Sequence, residues 1–155
     1  PARYCPDDAL SRAQAAIFFE RVLRGPDVQP ECRGGVFSDV GPTLFACGWI
    51  EQLFQDGITQ GCGNGHFCPH DRLTRAQAAV FLLRLKYGAV YQPPSCTGTA
   101  FGDVTPQTFA CAWVEQLAKE GITTGCGGGR YCPEASVTRG QMATFLTRQL
   151  GLVTP

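Results

Sequence analysis

The 155-residue chain has no net charge: thirteen Lys and Arg offset thirteen Asp and Glu, with no block of like charge anywhere. That excludes the electrostatic footprint of a nucleic-acid binder or of a protein held on an anionic membrane. No apolar run approaches the ~20 residues a membrane-spanning helix needs, so no membrane insertion is expected. The opening PARYCPDD lacks the charged and apolar segments of a secretion leader. Only two histidines occur, His66 and His70, both in one stretch and without an acid, base and nucleophile set around them. A catalytic site is therefore not expected. The glycine-rich runs GCGNG and GCGGG have no lysine after them and no strand–helix–strand context, so they are not phosphate-binding loops. They read as tight turns that need positive φ.

What the sequence does have is cysteine, nine of them, with 19 glycines and 11 prolines, and an apolar fraction of 44% that suffices to bury a core. Nine cysteines at recurring offsets are out of place in a reduced cytosolic protein unless they hold metal. A zinc site from Cys32, Cys47, Cys62 and Cys68 matches in count but lacks short paired ligand spacings. The expectation is a mature or partial extracellular product, stapled by disulfides and free of metal and cofactor.

The words repeat. CPDDALSRAQAA at Cys5 to Ala16 returns as CPHDRLTRAQAA at Cys68 and as CPEASVTRGQMA at Cys132, at offsets of 63 and 64 residues. Between them, VFSDVGPTLFACGWIEQLFQDGITQGCGNGHFCP aligns with AFGDVTPQTFACAWVEQLAKEGITTGCGGGRYCP. Each unit has an A half, from the DV turn through a helix to GIT, and a B half, from the glycine loop through a second helix. The chain reads B, A, B, A, B, giving a partial unit at 1–28 and units at 29–91 and 92–155.

Capping boxes fix the B helix starts: Ser11 with Gln14, Thr74 with Gln77, Thr138 with Gln141. Apolar stripes follow at Ile17, Phe18, Val22 and Leu23, at Val80, Phe81, Leu83 and Leu85, and at Met142, Phe145, Leu146 and Leu150. Gly25, Gly88 and Gly151 close the helices. The A helices are expected over Thr43 to Gln55 and Gln107 to Lys119. Phe45, Trp49, Ile50 and Leu53, matched by Phe109, Trp113, Val114 and Leu117, form the buried face, and Glu51, Gln52, Glu115 and Gln116 the polar one. GIT and HFC or RYC are expected to pair as short β-hairpins. The fold class is mainly α: tandem helical hairpins that must stack to bury their stripes.

The order of these words, F-x-D-V, W-I/V-E-Q-L, G-I-T-x-G, then F/Y-x-P and T-R-A-Q, resembles the S-layer homology repeat of bacterial exoproteins over nearly the whole chain. The resemblance implies three repeats around a pseudo-threefold axis, with grooves that bind cell-wall polysaccharide, often through an acidic pyruvyl group. It implies a non-enzymatic module on the cell surface. The chain departs from that pattern in three ways: glutamine stands where T-R-A-E is usual, Gly140 replaces an alanine, and the cysteines are extra.

Arg12, Arg75 and Arg139 each follow a helix cap, where free N–H groups and the helix dipole favour an anion and a guanidinium suits a carboxylate. They are the candidate glycan contacts, Arg75 foremost, together with Asp39 and Asp103, for which a backbone-satisfying role is the structural alternative. Trp49 and Trp113 are expected in the core. Two repeat-consistent disulfide frameworks exist. One pairs Cys32 with Cys47, Cys62 with Cys68, Cys96 with Cys111 and Cys126 with Cys132, leaving Cys5 free or intermolecular. The other pairs Cys5 with Cys32, Cys47 with Cys62, Cys68 with Cys96 and Cys111 with Cys126. The first is preferred because Cys62 and Cys68 flank a glycine turn. Two functions follow: a module that attaches to anionic bacterial cell-wall polysaccharide, or a subunit that polymerises with copies of itself in a surface layer, tube or filament.

Overall fold

A computed structural model describes residues 3–152; residues 1–2 and 153–155, the outer ends of the first and third units, lie outside the described residues. Five helices form among the described residues: α1 (Arg12–Arg24), α2 (Cys47–Gln55), α3 (Arg75–Tyr87), α4 (Cys111–Lys119) and α5 (Arg139–Gln149). The expected mainly helical, disulfide-stapled repeat fold is what forms.

All three capping boxes are made, each hydroxyl accepting from the N3 amide and each N3 glutamine oxygen accepting from the cap N–H. The A helices end in a Schellman turn: Gly57 at φ 70° lets the Ile58 N–H reach the Leu53 carbonyl, and Gly121 at φ 70° does the same for Ile122 and Leu117. GIT is thus a helix stop and not a strand. The hairpin is smaller than expected, a bridge between Gly63 and His66 and another between Gly127 and Arg130. A Cβ on Gly61 would lie 2.2 Å from the His66 carbonyl oxygen, and one on Gly125 would lie 2.3 Å from that of Arg130. That close approach is why glycine opens each turn.

The three B halves meet in a closed ring. Leu10 N–H donates to Val137, Val137 N–H to Leu73, and Leu73 N–H to Leu10, at 2.8, 2.9 and 2.9 Å. All three side chains are fully buried on this pseudo-threefold axis. Each following helix is threaded into the next copy: the Arg12 and Ala13 amides donate to the Asp71 and Pro69 carbonyls, Arg75 and Ala76 to Ala135 and Pro133, Arg139 and Gly140 to Asp8 and Pro6. With the cap bond to the third amide, the orphan donors of every B helix are satisfied by protein. The expected anion site at these N-termini is already filled by carbonyls.

Each A helix packs on the B helix before it, α2 on α1 and α4 on α3. The A helices begin at Cys47 and Cys111, four residues later than expected, because residues 41–47 and 105–111 bond three apart as turns. Phe45 and Phe109 therefore stand in the turns, 59% and 62% exposed, and not on the buried face. Trp49 and Trp113 are half-buried and pack against the core from outside. Glu51, expected on the polar face, is buried and accepts from the Arg33 amide at 2.8 Å; Glu115 accepts from Thr97 and Thr99. In α1 the stripe is also displaced: Ala13, Ala15, Ala16 and Phe19 are buried, while Ile17, Phe18 and Val22 are half-buried and Leu23 is exposed. Small side chains let the helix approach the axis closely, and that is where the core lies.

Cys32 is bonded to Cys47, Cys62 to Cys68, Cys96 to Cys111 and Cys126 to Cys132, the first of the two frameworks, with Cys5 exposed and free. The 15-residue bridges tie each A helix start to the segment before it, and the 6-residue bridges close the glycine turns. The four cysteines weighed as zinc ligands are spread over two such bridges.

Candidate functional site

The three B-half arginines occupy equivalent places, each reaching across to the next copy. Arg12 Nε donates to the Phe67 carbonyl at 2.8 Å, Arg75 Nε to that of Tyr131 at 2.7 Å and Arg139 Nε to that of Tyr4 at 2.8 Å. Each guanidinium also lies between two rings: Arg12 is 4.8 Å from Phe67 and 5.9 Å from Phe81, Arg75 is 4.7 Å from Tyr131 and 5.5 Å from Phe145, and Arg139 is 4.8 Å from Tyr4 and 5.6 Å from Phe18. Such sandwiches stabilise a desolvated cation. Arg12 and Arg75 are buried, 4% and 3% exposed, and each has a buried Nη2 without a hydrogen-bond partner.

The aspartates act on the arginines through the aromatic residues. Asp39 accepts the Phe67 and Cys68 amides at 2.8 and 2.7 Å, and Asp103 accepts those of Tyr131 and Cys132 at 2.7 and 2.8 Å. Oδ1 of each carboxylate thus holds the residue that presents a ring and a carbonyl to an arginine, and Oδ2 holds the cysteine after it. Burial pushes the Asp39 carboxyl up, but the amide bonds and nearby His66 more than offset this and hold it below its ordinary value. Asp103 is held low in the same way, with Arg130 in place of the histidine. The cysteines held here, Cys68 and Cys132, have positive φ of 59° and 58°. Cys5, at φ 51°, takes the same backbone shape, with an Asp8 N–H bond to its carbonyl.

A groove of about 420 Å³ runs over α3. Its floor is Val80 and Phe81, one wall is the GIT loop from Ile58 to Cys62, and the other is Phe109 and Trp113 of the next A half. Arg12 closes one end and Arg84 the other, with Arg84 Nη1 bonded to the Ile58 carbonyl at 3.1 Å and its guanidinium 5.5 Å from the Trp113 ring. Arg12 is thus the buried arginine that lines this groove. Arg75, the foremost glycan candidate from the sequence, leaves its own unit in the same way and lies on Tyr131 and Phe145 of the next copy. A second groove, about 340 Å³, has the matching floor over α1, with Gln14, Ile17, Phe18 and Arg21 and with Arg139 at its end. From the sequence, Gln77, Phe81 and Phe109 read as a cap, a stripe and a buried face and not as site residues, and Phe67 and Arg84 were not singled out. An aromatic residue before each Cys-Pro (Tyr4, Phe67, Tyr131) was the signal that pointed to the ring partner.

Two stretches of the chain, each carrying an A half and the B half after it, are matched by a known family profile. The S-layer homology domain covers residues 36–79 and 100–143. The chain belongs to the S-layer homology family. Both matched spans run from the F-x-D-V turn into the B helix, and the first B half, outside both spans, completes the ring with them. An S-layer protein of Bacillus licheniformis is 28% identical over 150 residues, 92% of this chain and 16% of that protein. An endoglucanase of Bacillus sp. (strain KSM-635) is 30% identical over 72% of this chain and 11% of its own length. A cellulosome-anchoring protein of Acetivibrio thermocellus is 24% identical over 94% of this chain and 33% of its own length. The chain spans a third or less of each of these relatives. As an S-layer homology module it is an extracellular, cell-surface protein, and this family is a surface module and not a catalytic domain.

Proposed function

We propose that the chain attaches to an anionic bacterial cell-wall polysaccharide, and that the groove over α3 is the main contact. The observation that carries this is Arg12: a residue more than nine-tenths buried at the end of a groove, with one guanidinium nitrogen unpartnered and, among the described residues, no carboxylate in ion-pair contact. Leaving a buried charge unpaired is costly, and an acidic sugar group arriving in the groove relieves that cost. Phe109 and Trp113 supply the aromatic faces on which a sugar ring rests. In this reading Arg12 leads, Arg139 serves the lesser groove over α1, Arg75 lines neither groove, and Asp39 and Asp103 shape the site through Phe67 and Tyr131 without touching the glycan. The cellulosome-anchoring relative supports surface attachment. Co-sedimentation with purified sacculi tests it: the chain should pellet with them, and a folded Arg12→Ala variant should stay in the supernatant. Equal pelleting of the two would overturn the assignment.

A second reading, association with copies of itself, is favoured by the α1 face. Arg84 and Arg148 bond the Ile58 and Ile122 carbonyls of GIT loops, whereas the equivalent Arg21 is exposed, with no such bond among the described residues, and Phe18 and Val22 are half-covered. Light scattering that shows a monomer at high concentration would remove this reading.

A further inference from the structure

The Cys32–Cys47 bridge has a carboxylate beside it. Cys47 opens α2 and Glu51 follows four residues on, so the two side chains share one face of the helix. Cys32 comes from the segment that crosses the start of that helix, where a Cβ on Gly48 would collide with the Pro30 carbonyl. The two sulfurs and a carboxylate oxygen of Glu51 all lie within 4.8 Å of one another. Glu51 is 2% exposed; Oε2 accepts the Arg33 amide, and Oε1 is buried with no hydrogen-bond partner. Among the described residues no cation forms an ion pair with it. A buried carboxylate left half-satisfied is costly. The third unit repeats the arrangement without that deficit. Beside Cys96 and Cys111, Glu115 uses both oxygens, on the Thr97 amide and hydroxyl and the Thr99 amide. Arg33 and Gly35 stand where those threonines would be.

We propose that Cys32, Cys47 and Glu51 form a site for a thiophilic divalent cation, of the class of zinc and cadmium, once the bridge between the two cysteines is opened. The opening step takes two electrons from a pair of external thiols: these are oxidised to a disulfide, the Cys32–Cys47 bond breaks, and the two cysteines take up the protons the reductant gives up. Cys32 is half-buried and Cys47 buried, so attack falls on the Cys32 sulfur. Cys47 then leaves at a helix N-terminus, where a thiolate is favoured. Cation binding releases both thiol protons to solvent as two metal–thiolate bonds form. Glu51 is the third ligand, and the cation in turn relieves its buried charge. Two thiolates and a carboxylate are donors that zinc accepts, with water in the fourth position, and the soft sulfurs select such ions over magnesium or calcium. The same three side chains thus serve as a staple when oxidised and as a cation site when reduced. The set differs from the four cysteines first weighed for zinc, because it draws its third ligand from α2 and needs neither Cys62 nor Cys68.

The test uses the full chain, reduced with an immobilised phosphine that gives up the same two electrons on becoming its oxide and is removed before metal is added. Cd2+ is the probe. At each Cd2+ concentration the thiols still open are alkylated, and peptide mapping reads every cysteine separately. Cys32 and Cys47 should be protected at about tenfold less Cd2+ than Cys96 and Cys111, whose glutamate is already engaged. Glu51→Gln should raise the Cd2+ needed at Cys32 and Cys47 by at least about tenfold, since even the outer partners of a metal site cost that much, and should leave Cys96 and Cys111 unchanged. Equal protection of the two pairs in the wild type, or of Cys32 and Cys47 in wild type and variant, would overturn the site. Should the reduced chain lose its fold, circular dichroism decides: Cd2+ should restore helix in the wild type and restore less in Glu51→Gln. Equal recovery in the two, or recovery in neither, would overturn the proposal.

Discussion

The grooves over α1 and α3 have nearly the same floor and different walls. Gln14, Ile17, Phe18 and Arg21 correspond to Gln77, Val80, Phe81 and Arg84, and each groove ends at an arginine held on a ring of the neighbouring copy. Over α3 a GIT loop covers one side and Phe109 and Trp113 the other, whereas the pocket over α1 is lined by B-helix residues alone. The consequence is visible in the arginines: Arg12 is buried, with a nitrogen left unpartnered, while Arg139 is only half-buried and its bond to the Tyr4 carbonyl is exposed. The B half encodes the ring and the arginine clamp. The A half turns that clamp into a site by excluding water around it.

Removing the axis should break both grooves at once. Leu73→Ala should destabilise by about 3 to 5 kcal/mol, the cost of a cavity where a side chain is fully buried. Denaturant unfolding followed at both tryptophans, Trp49 beside α1 and Trp113 beside α3, should show one shared transition. Two separate transitions would mean that the grooves are independent and the comparison misconceived.

The next largest effect should separate the grooves. Arg12→Ala should weaken sacculus binding by about 1.5 to 3 kcal/mol, the range for a charge-assisted bond, while Arg139→Ala should cost less than about 0.5 kcal/mol, as for an exposed polar contact. Equal losses in a binding isotherm would show that the covering walls contribute nothing to recognition.

The cysteines give a smaller contrast. Opening the Cys62–Cys68 bridge with a double serine substitution should cost about 2 kcal/mol, from the loop it closes. Cys5→Ser should be neutral within about 0.5 kcal/mol, since Cys5 is exposed and unbridged. Non-reducing peptide mapping reads the pairing directly, and a Cys5–Cys32 bridge would replace this framework with the other.

The smallest effect is in acid. Asp39 and Asp103 have folded pKa values below their ordinary ones, so they stabilise the fold above the unfolded value of about 4, and that contribution is lost as pH falls through the lower folded values. Glu20, buried in α1, is shifted the other way: burial raises it, only partly opposed by Arg24. Its ionisation therefore opposes folding, and that penalty is relieved as pH falls through its raised value. Asp39→Asn with Asp103→Asn should flatten the loss of stability below about pH 4, measured by thermal melts, and Glu20→Gln should leave that arm unchanged. A wild type as stable at pH 2 as at pH 6 would remove the aspartates from this role.

Much of the fold was legible because it depends on neighbours in the chain. Ser11, Thr74 and Thr138 announce their helices because a cap bonds three residues ahead. The expected A helices ran four residues too long because Phe45 and Phe109 have helical spacing but sit in turns tied down by disulfides at Cys47 and Cys111. Their exposure beside a groove is a property of the assembled walls, which periodicity does not encode. Glu51 was taken for a surface acid because nothing local reveals the Arg33 amide that it meets.

The sequence by itself determined the repeat, the starts of the B helices, the helix stops and the family, since each rests on residue types within a few positions of one another. Tertiary structure alone decided which arginine belongs to which groove. Arg12 acts 55 residues away at Phe67, and Arg75 acts 56 away at Tyr131, because the ring of Leu10, Leu73 and Val137 passes each helix N-terminus into the next copy. A side chain's unit in the sequence is set by covalent order, whereas its unit in the site is set by the hydrogen-bonded ring, and the two differ by one repeat.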